Sequence, residues 1–477
     1  VHVNNAAPST PANALLLGNN IEWVAGGDGV LLPGSLQFNP ILENPVVALA
    51  PTIIRYPGGA FADVYQWQAG LGTISQRGML PSDGNGGMQT VYFGSQEFLS
   101  LCVATNAQAL VTLNVVTATP ADAAGWVTLT NITRLRSDSG AQLPTVPFWE
   151  IGNEPYLTQN LANLPFTPEL YLAQANAIMP AIKAVDPTIL AGVPLLGPTE
   201  AAFLGANGYA QFNTVVLPGL AQAPDFFAIH DAYLPVGITA DKTALYYATV
   251  AGANQVQNDL DSLRAQVQQY FPAQMIPFAI TEFNSLFTLN LSPTDHYPQS
   301  LASAIYIADL FITFSKRTDI MAADYFQFLD GYVLGAIAPS GNPRPGGQVL
   351  TAFSKVLKGN LLSTTVQSGA FDAPPVGFFA GLQNVPVISA LATQNQNAIS
   401  LVLINKELSS AQNVAVTFAS PLPPSSLTAR VLTTADVFQT FPNGGLAFSS
   451  IPAPSLVNGG FTILLPPHSI TIVQITP

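Results

Sequence analysis

From residue 14 to about 358, short runs rich in β-branched and aromatic residues alternate with longer segments whose apolar positions recur at helical spacing. The short runs are Leu15–Gly18, Thr52–Tyr56, Ala109–Val115, Phe148–Gly152, Ile189–Pro194, Phe226–His230, Pro277–Thr281 and Ala322–Phe326. Between them lie helical patterns such as Gln96–Ala104, Pro168–Val185, Gln255–Tyr270 and Gln299–Phe314. Strands alternating with helices predict a parallel sheet wrapped by helices. Eight such units predict an α/β fold of the closed (β/α)8 TIM-barrel type, whose site lies at the C-terminal ends of the strands.

After Lys358 the helical period stops. Ala398–Asn405, Asn413–Phe418, Thr428–Leu432, Phe461–Leu465 and Ser469–Ile475 alternate in the manner of strands, with turn clusters at Pro421–Ser426 and Asn443–Gly445. This predicts a C-terminal all-β sandwich over 359–477, beside a catalytic barrel over 14–358. The segment 1–13 is assigned to neither, with pairing to the sandwich as its expected use.

Polar residues fall at the predicted strand ends: Glu22, Arg55 with Asp63, Asn114, Asn153 with Glu154, His230 with Tyr233, Glu282 with Asn284, and Gln327. Two of them carry the chemistry. Glu154 closes Phe148-Trp149-Glu150-Ile151-Gly152-Asn153-Glu154, and Glu282 closes Phe278-Ala279-Ile280-Thr281-Glu282. Cleavage of a glycosidic bond needs two carboxyls, one to protonate the leaving oxygen and one to attack or stabilise the sugar cation. Glu154 is therefore the expected acid/base and Glu282 the expected nucleophile of a retaining glycosidase. No Lys or Arg lies within eight residues of either, so neither reads as half of a local ion pair. Asn153 stands where an amide could hold a sugar hydroxyl. His230 and Tyr233 are candidates to orient the nucleophile or bind substrate, and Trp67 offers an aromatic face for stacking on a sugar or for core packing.

Composition narrows the partners. Charged residues are 9% of the chain against a usual share of about 25%, and the net charge is −13 without any Lys/Arg cluster. Nucleic acid and anionic membranes are thereby excluded as partners, and a neutral glycoside or oligosaccharide is expected. Cys102 is the sole cysteine and sits in an apolar helical pattern, so no disulfide framework or thiolate zinc site can be written. The four histidines lack ligand spacing, and neither a metal nor a cofactor is expected. The apolar stretch Leu301 to Phe314 contains Asp309 and is shorter than the roughly 18 residues of a membrane span, which predicts a buried helix. Low charge, abundant turn residues and a start at Val1 fit a secreted or periplasmic protein.

The motifs also carry a resemblance. The Asn-Glu-Pro ending of the fourth strand, with a second glutamate ending the seventh, resembles clan A glycoside hydrolases. Gly18-Asn19-Asn20-Ile21-Glu22-Trp23 and Arg55-Tyr56-Pro57-Gly58-Gly59-Ala60-Phe61-Ala62-Asp63-Val64-Tyr65-Gln66-Trp67 are similar to the first- and second-strand motifs of family 51, the α-L-arabinofuranosidase family. Looser likeness covers Ser95–Cys102 and Leu465–Ile470. The resemblance implies that Glu22 binds sugar hydroxyls, that Asn153 and Glu154 form the acid/base pair, that Glu282 is the nucleophile, and that Gln327 reaches the same subsite. Three features depart from the family. Ala60 stands where it usually has Asn or Cys near the −1 sugar, His230-Asp231-Ala232-Tyr233 replaces His-x-Tyr, and Thr281-Glu282-Phe283-Asn284-Ser285 is nearer to families 39 and 79. An arabinofuranoside is the first expectation for the sugar. A β-xyloside, a β-glucuronide and an endo-β-1,4-glucan remain alternatives, as does a carbohydrate-binding protein on a degenerate barrel.

Overall fold

The computed structural model describes residues 1–477 except 7–9, 231–238, 240, 287–295, 330–332, 423–424 and 458. Eight parallel strands close into a barrel: β1 (Gly18–Asn20), β2 (Ile53–Tyr56), β3 (Gln108–Leu113), β4 (Phe148–Ile151), β5 (Leu190–Leu195), β6 (Phe226–Ile229), β7 (Phe278–Phe283) and β8 (Ile320–Tyr325). They neighbour one another in chain order, and β8 pairs with β1 to complete the ring. Strands of such a barrel are covered on both faces, which is why most read as continuous apolar runs.

The barrel interior is layered. Ile53, Leu110, Phe148, Phe226, Ala228, Ala279 and Ala322 form an apolar floor. Gly192 makes room for it, because a Cβ there would stand 2.0 Å from the Phe226 ring. Above the floor lie buried polar residues, among them Asn20, Arg55, Thr112, Glu150, Thr281 and Asp324. Buried polar side chains usually satisfy one another, and these do except Asp324, whose two carboxyl oxygens have no hydrogen-bond partner among the described residues.

Two strand boundaries differ from expectation in ways that affect the site. Leu15 and Leu16 belong to a 3-10 turn, Ala14–Leu16, because the Asn13 side chain accepts a hydrogen bond from the Leu15 N–H. The first strand therefore starts at Gly18 and carries Asn20 into the polar layer. β7 runs on to Phe283, so Glu282 lies within the strand. A register shift against β8 falls between Ile280 and Phe283. Successive strand residues normally face opposite sides, and this irregularity lets Thr281 and Glu282 both reach the interior.

Among the surrounding helices, Pro168–Val185 begins with proline in its first turn and with Thr167 accepting from the Leu170 N–H. Ser95–Thr105 and Leu301–Lys316 match the helical patterns closely, while the helix expected from Gln255 begins at Lys242. There the Asp241 side chain caps the Thr243 and Ala244 N–H groups. Cys102 is buried. Among the described residues no helix is long and apolar enough to cross a membrane.

The C-terminal region is a β-sandwich. Ala398–Asn405 pairs with Ile388–Asn395 and with Ser469–Thr476, which also pairs with Ser426–Leu432. Gln412–Phe418 pairs with Gly460–Leu465. The strand His2–Asn4 joins the two groups, antiparallel to Asn360–Thr365 and parallel to Gln412–Phe418. Val3, Leu401, Leu403, Val416, Ile463 and Val473 fill the space between the layers. The outer face packs on the barrel helices through Leu391, Val402, Ile404, Ile470 and Ile472. Asp309 is explained by this contact: in the buried helix Leu301–Lys316 it pairs with Lys406 Nζ of the sandwich at 3.0 Å.

Candidate active site

The polar layer is organised by Arg55. Its guanidinium is fully buried and donates Nε to Glu150 Oε2 at 2.6 Å, Nη1 to Glu282 Oε1 at 2.6 Å and to Asn20 Oδ1 at 3.1 Å, and Nη2 to Asn153 Oδ1 at 2.8 Å. One planar fork thus fixes side chains from β1, β4, β7 and the turn after β4. Expected ion-pair freedom at Glu282 is thereby corrected: its cation comes from 227 positions away in the chain.

After β4 the backbone turns sharply. Gly152 has φ +91° and Glu154 has φ +42°, a region that non-glycine residues seldom occupy. Such strain persists where the surroundings enforce it, and it clusters at functional sites. Here it carries Glu154 over the barrel mouth, where its side chain keeps 23% of its exposure while that of Glu282 keeps 5%. His230, directly after β6, links the two. Its Nδ1 stands 3.0 Å from Glu154 Oε1 and 4.0 Å from Glu282 Oε2, and its Nε2 stands 3.0 Å from Thr281 Oγ1. One ligand-type atom from each of Glu154, His230 and Glu282 falls within 4.8 Å of the others. That trio alone, among the described residues, could gather round a cation, but the Glu154 oxygen is already engaged by His230 and a Glu282 oxygen by Arg55.

Burial and charge set the protonation states. Burial alone would lower the His230 value, but Glu282, Glu150 and Glu154 outweigh it and push the imidazole up to about 10. Burial works to raise Glu150, yet chiefly the Arg55 charge, helped by His230 and Thr112, holds its carboxyl down at about 2. Glu282 is pushed up by burial and by the Glu154 charge, against the pull of His230 and Arg55. Asp63, on the 3-10 turn Ala60–Val64, is pushed up to about 8, mainly by burial and also by Glu154. Glu200 is pushed up by burial and by Glu154, and accepts a 2.8 Å hydrogen bond from the Tyr156 hydroxyl. Burial lifts Asp324 well above the carboxylate range.

The other sequence candidates divide. Glu22 lies against the Pro57-Gly58-Gly59 turn, where a Cβ on Gly59 would come within 2.6 Å of its Oε1, so the glycine at φ +48° admits it. Its backbone N–H donates to Asp28 Oδ2. Gln327 is buried just beyond β8, and its Oε1 has no hydrogen-bond partner among the described residues. Ala60 is exposed at the start of its turn. Trp67 is placed against a helix, its indole N–H donating to the Asp122 carbonyl at 3.0 Å. Asn114 caps its own loop by accepting from the Val116, Thr117 and Ala118 N–H groups, and Asn284 donates to the Leu334 carbonyl at 2.8 Å. Tyr233 lies outside the described residues. Sequence reasoning missed Glu150, Thr112 and Thr281 as members of the site. The available signal was Glu150 itself, a carboxylate in the middle of an apolar strand.

Comparison with known proteins agrees with this architecture. Residues 45–193 match the family model described as the alpha-L-arabinofuranosidase 1 domain. The chain resembles family 51 of the clan A glycosidases. Alpha-L-arabinofuranosidase C of Emericella nidulans is 35% identical over 144 residues, 29% of this chain and 28% of that protein. The chain thus aligns with little more than a quarter of such relatives. The exo-alpha-(1->6)-L-arabinofuranosidase of Bifidobacterium longum is 23% identical over 480 residues, covering 90% of this chain and 87% of its own. In fold, the crystal structure of the alpha-L-arabinofuranosidase from Thermotoga maritima in its arabinose complex superposes with a TM-score of 0.83 at 21% identity, covering 100% of this chain and 99% of that one. A barrel fused to a β-sandwich is common to both.

Proposed function

We propose that this chain hydrolyses α-L-arabinofuranosides with retention of configuration, using Glu282 as nucleophile and Glu154 as acid/base. The observation that carries the proposal is the convergence of one oxygen from each carboxyl to within 4.8 Å. Retaining enzymes hold their carboxyls about 5–5.5 Å apart, whereas inverting enzymes need about 6.5–9.5 Å to admit a water between them. Glu282 attacks the anomeric carbon while Glu154 protonates the departing oxygen, and a glycosyl ester forms. Glu154 then takes a proton from water as that water attacks the same carbon, which releases Glu282.

Arabinofuranose as the sugar is supported by the matched family model, which spans Arg55, Ala60, Asn153 and Glu154, and by the Bifidobacterium relative. The surroundings favour a neutral substrate. Glu22 and the buried Gln327 Oε1 are acceptors suited to sugar hydroxyls, and Arg55 is buried with four side-chain hydrogen bonds to protein partners. Asn153 accepts from Arg55 through its oxygen, which leaves its NH2 group to donate to a sugar hydroxyl. Export from the cell belongs to the same proposal and is supported by the low charge and the abundance of turn residues such as Gly and Pro.

A panel of aryl glycosides tests this, with the anomer of the first-formed product read by proton NMR. The α-L-arabinofuranoside is expected to be cleaved fastest, with retention. An inverted first product, or an aryl β-glucuronide cleaved at least about tenfold faster, would overturn the mechanism or the sugar respectively.

A further inference from the structure

A chain of hydrogen bonds runs from the centre of the barrel to Glu154. Glu150 Oε2 accepts from Arg55 Nε at 2.6 Å and from the Thr112 hydroxyl at 2.7 Å, while Oε1 accepts from the Thr281 hydroxyl at 2.8 Å. Thr281 has one hydroxyl proton. Since Arg55 keeps Glu150 ionised, that proton goes to Glu150, and the Thr281 oxygen can then only accept at its 3.0 Å contact with His230 Nε2. Nε2 must carry a hydrogen. The opposite nitrogen, Nδ1, faces carboxylate oxygens of Glu154 at 3.0 Å and Glu282 at 4.0 Å, which favour a hydrogen there as well.

We propose that Glu150, acting through Thr281, is a positioning residue that holds His230 as a double donor, so that its Nδ1–H occupies Glu154 Oε1 and confines the catalytic proton of Glu154 to Oε2. This deepens the function proposed above and rests on Glu154 being the acid/base. With Oε1 filled by a donor, a proton there would clash with Nδ1–H; Oε2 makes no hydrogen bond among the described residues and is left for the leaving oxygen. The charged groups facing His230 are Glu150 and Glu154 from β4 and its turn, Glu282 from β7, and Glu200 from the helix Pro198–Leu204. Arg55 from β2 touches two of them. Among the described residues every titratable group facing the imidazole is thus a carboxyl, and of the two with no part in the bond-making steps, Glu150 and Glu200, it is Glu150 that Arg55 keeps ionised. Among the described residues Thr281 is the only side chain placed to pass its influence to Nε2 by hydrogen bonds, the direct Nε2 to Glu150 distance being 3.7 Å.

Nitrogen-15 NMR of histidine-labelled protein tests this without reference to activity. The chain has four histidines, and His230 is assigned by its loss in His230→Asn. In the wild type both ring nitrogens are expected to be protonated at pH 7. In Thr281→Val the pH at which His230 loses its charge is expected to fall by at least about one unit. Kinetically, Thr281→Val and Glu150→Gln should lose about 10- to 100-fold in kcat/KM on glycosides with poor leaving groups and much less on dinitrophenyl glycosides, a part of what acid catalysis contributes. Thr281→Ser should restore both readouts, which a mere packing role would not predict. An unprotonated Nε2 in the wild type overturns the proposal whether or not the variants fold, as does a Thr281→Val protein with unchanged titration and unchanged leaving-group dependence. Spectra as expected from a protein that cleaves no glycoside would uphold the relay and sink the hydrolase reading instead.

Discussion

Arg55→Lys keeps the positive charge at the barrel centre and removes the fork, which separates the two contributions of that residue. The guanidinium makes four side-chain hydrogen bonds, two to carboxylates and two to amide oxygens. A lysine ammonium is a compact charge on a flexible stem and cannot span partners on β1, β4 and β7 together. If it settles on Glu150, the bonds to Glu282 and Asn153 are lost. Both bonds have the guanidinium cation as donor, and at about 1.5–3 kcal/mol for each such charge-assisted bond the loss at these two residues is roughly 3–6 kcal/mol. Were all of it expressed in the transition state, kcat/KM would fall about 160- to 25,000-fold at 1.36 kcal/mol per decade. The assay is kcat/KM on an aryl α-L-arabinofuranoside, with near-ultraviolet circular dichroism to establish that the barrel is intact. A folded Arg55→Lys protein within about threefold of wild type would refute the reasoning, because charge alone would then suffice to align Glu282 and Asn153.

Glu282→Ala should abolish turnover in a folded protein, and azide should restore part of it with an inverted glycosyl azide as product; full activity without azide would remove Glu282 from the mechanism. Glu154→Ala should lose several orders of magnitude on alkyl glycosides and far less on dinitrophenyl glycosides, whose leaving groups need no proton, and equal losses on both would contradict the acid role. Asp63→Asn should alter the pH dependence of stability. Its carboxyl is raised in the folded state to about 8, so its contribution is full below about pH 4 and is lost as pH rises towards 8. The variant's advantage in thermal inactivation half-life should therefore grow between pH 5 and pH 8, and a difference that stays flat would mean Asp63 is not buried as described.

The barrel was legible because its strands are covered on both sides and announce themselves as apolar runs. The errors at its boundaries are local competitions that apolar content does not register, such as the Asn13 cap that turns Leu15 and Leu16 into a 3-10 turn. Asn360–Thr365 escaped notice in the sandwich for a related reason: Asn-Leu-Leu-Ser-Thr-Thr has too few apolar residues to stand out, and its strand character comes from pairing with His2–Asn4 and Ile388–Asn395. At the site, Glu154, Glu282 and His230 were recognisable as polar residues ending apolar strands. Their support was not. A search for cations within eight residues of a glutamate cannot find Arg55, which lies 95 positions from Glu150 and 227 from Glu282. Closure of the barrel brings them together, so the pairing is a property of topology. That one partner of Arg55 is the proposed nucleophile emerges only in three dimensions.

The charges gathered by that closure match the demands of a double displacement. At neutral pH Asp324, Asp63 and Glu200 are pushed towards their protonated forms. In the network joined by Arg55 and His230, with Glu22 outside it against the Pro57-Gly58-Gly59 turn, the charges that remain are those two cations against Glu150, Glu282 and whichever state Glu154 holds. On the proposed roles the resting site has Glu282 ionised and Glu154 protonated, and the two cations are balanced by Glu150 and Glu282. Formation of the glycosyl ester removes the charge of Glu282, and delivery of the proton creates one on Glu154. The total is unchanged, and one negative charge has moved from the first carboxyl to the second. His230 Nδ1 stands within 4.0 Å of an oxygen of each, so a single fixed cation serves both states without any group having to move. A preorganised charge of this kind carries no reorganisation cost at the moment of reaction. This explains why a cation this deeply buried is worth holding in place with a fully buried carboxylate that takes no part in the bond-making steps.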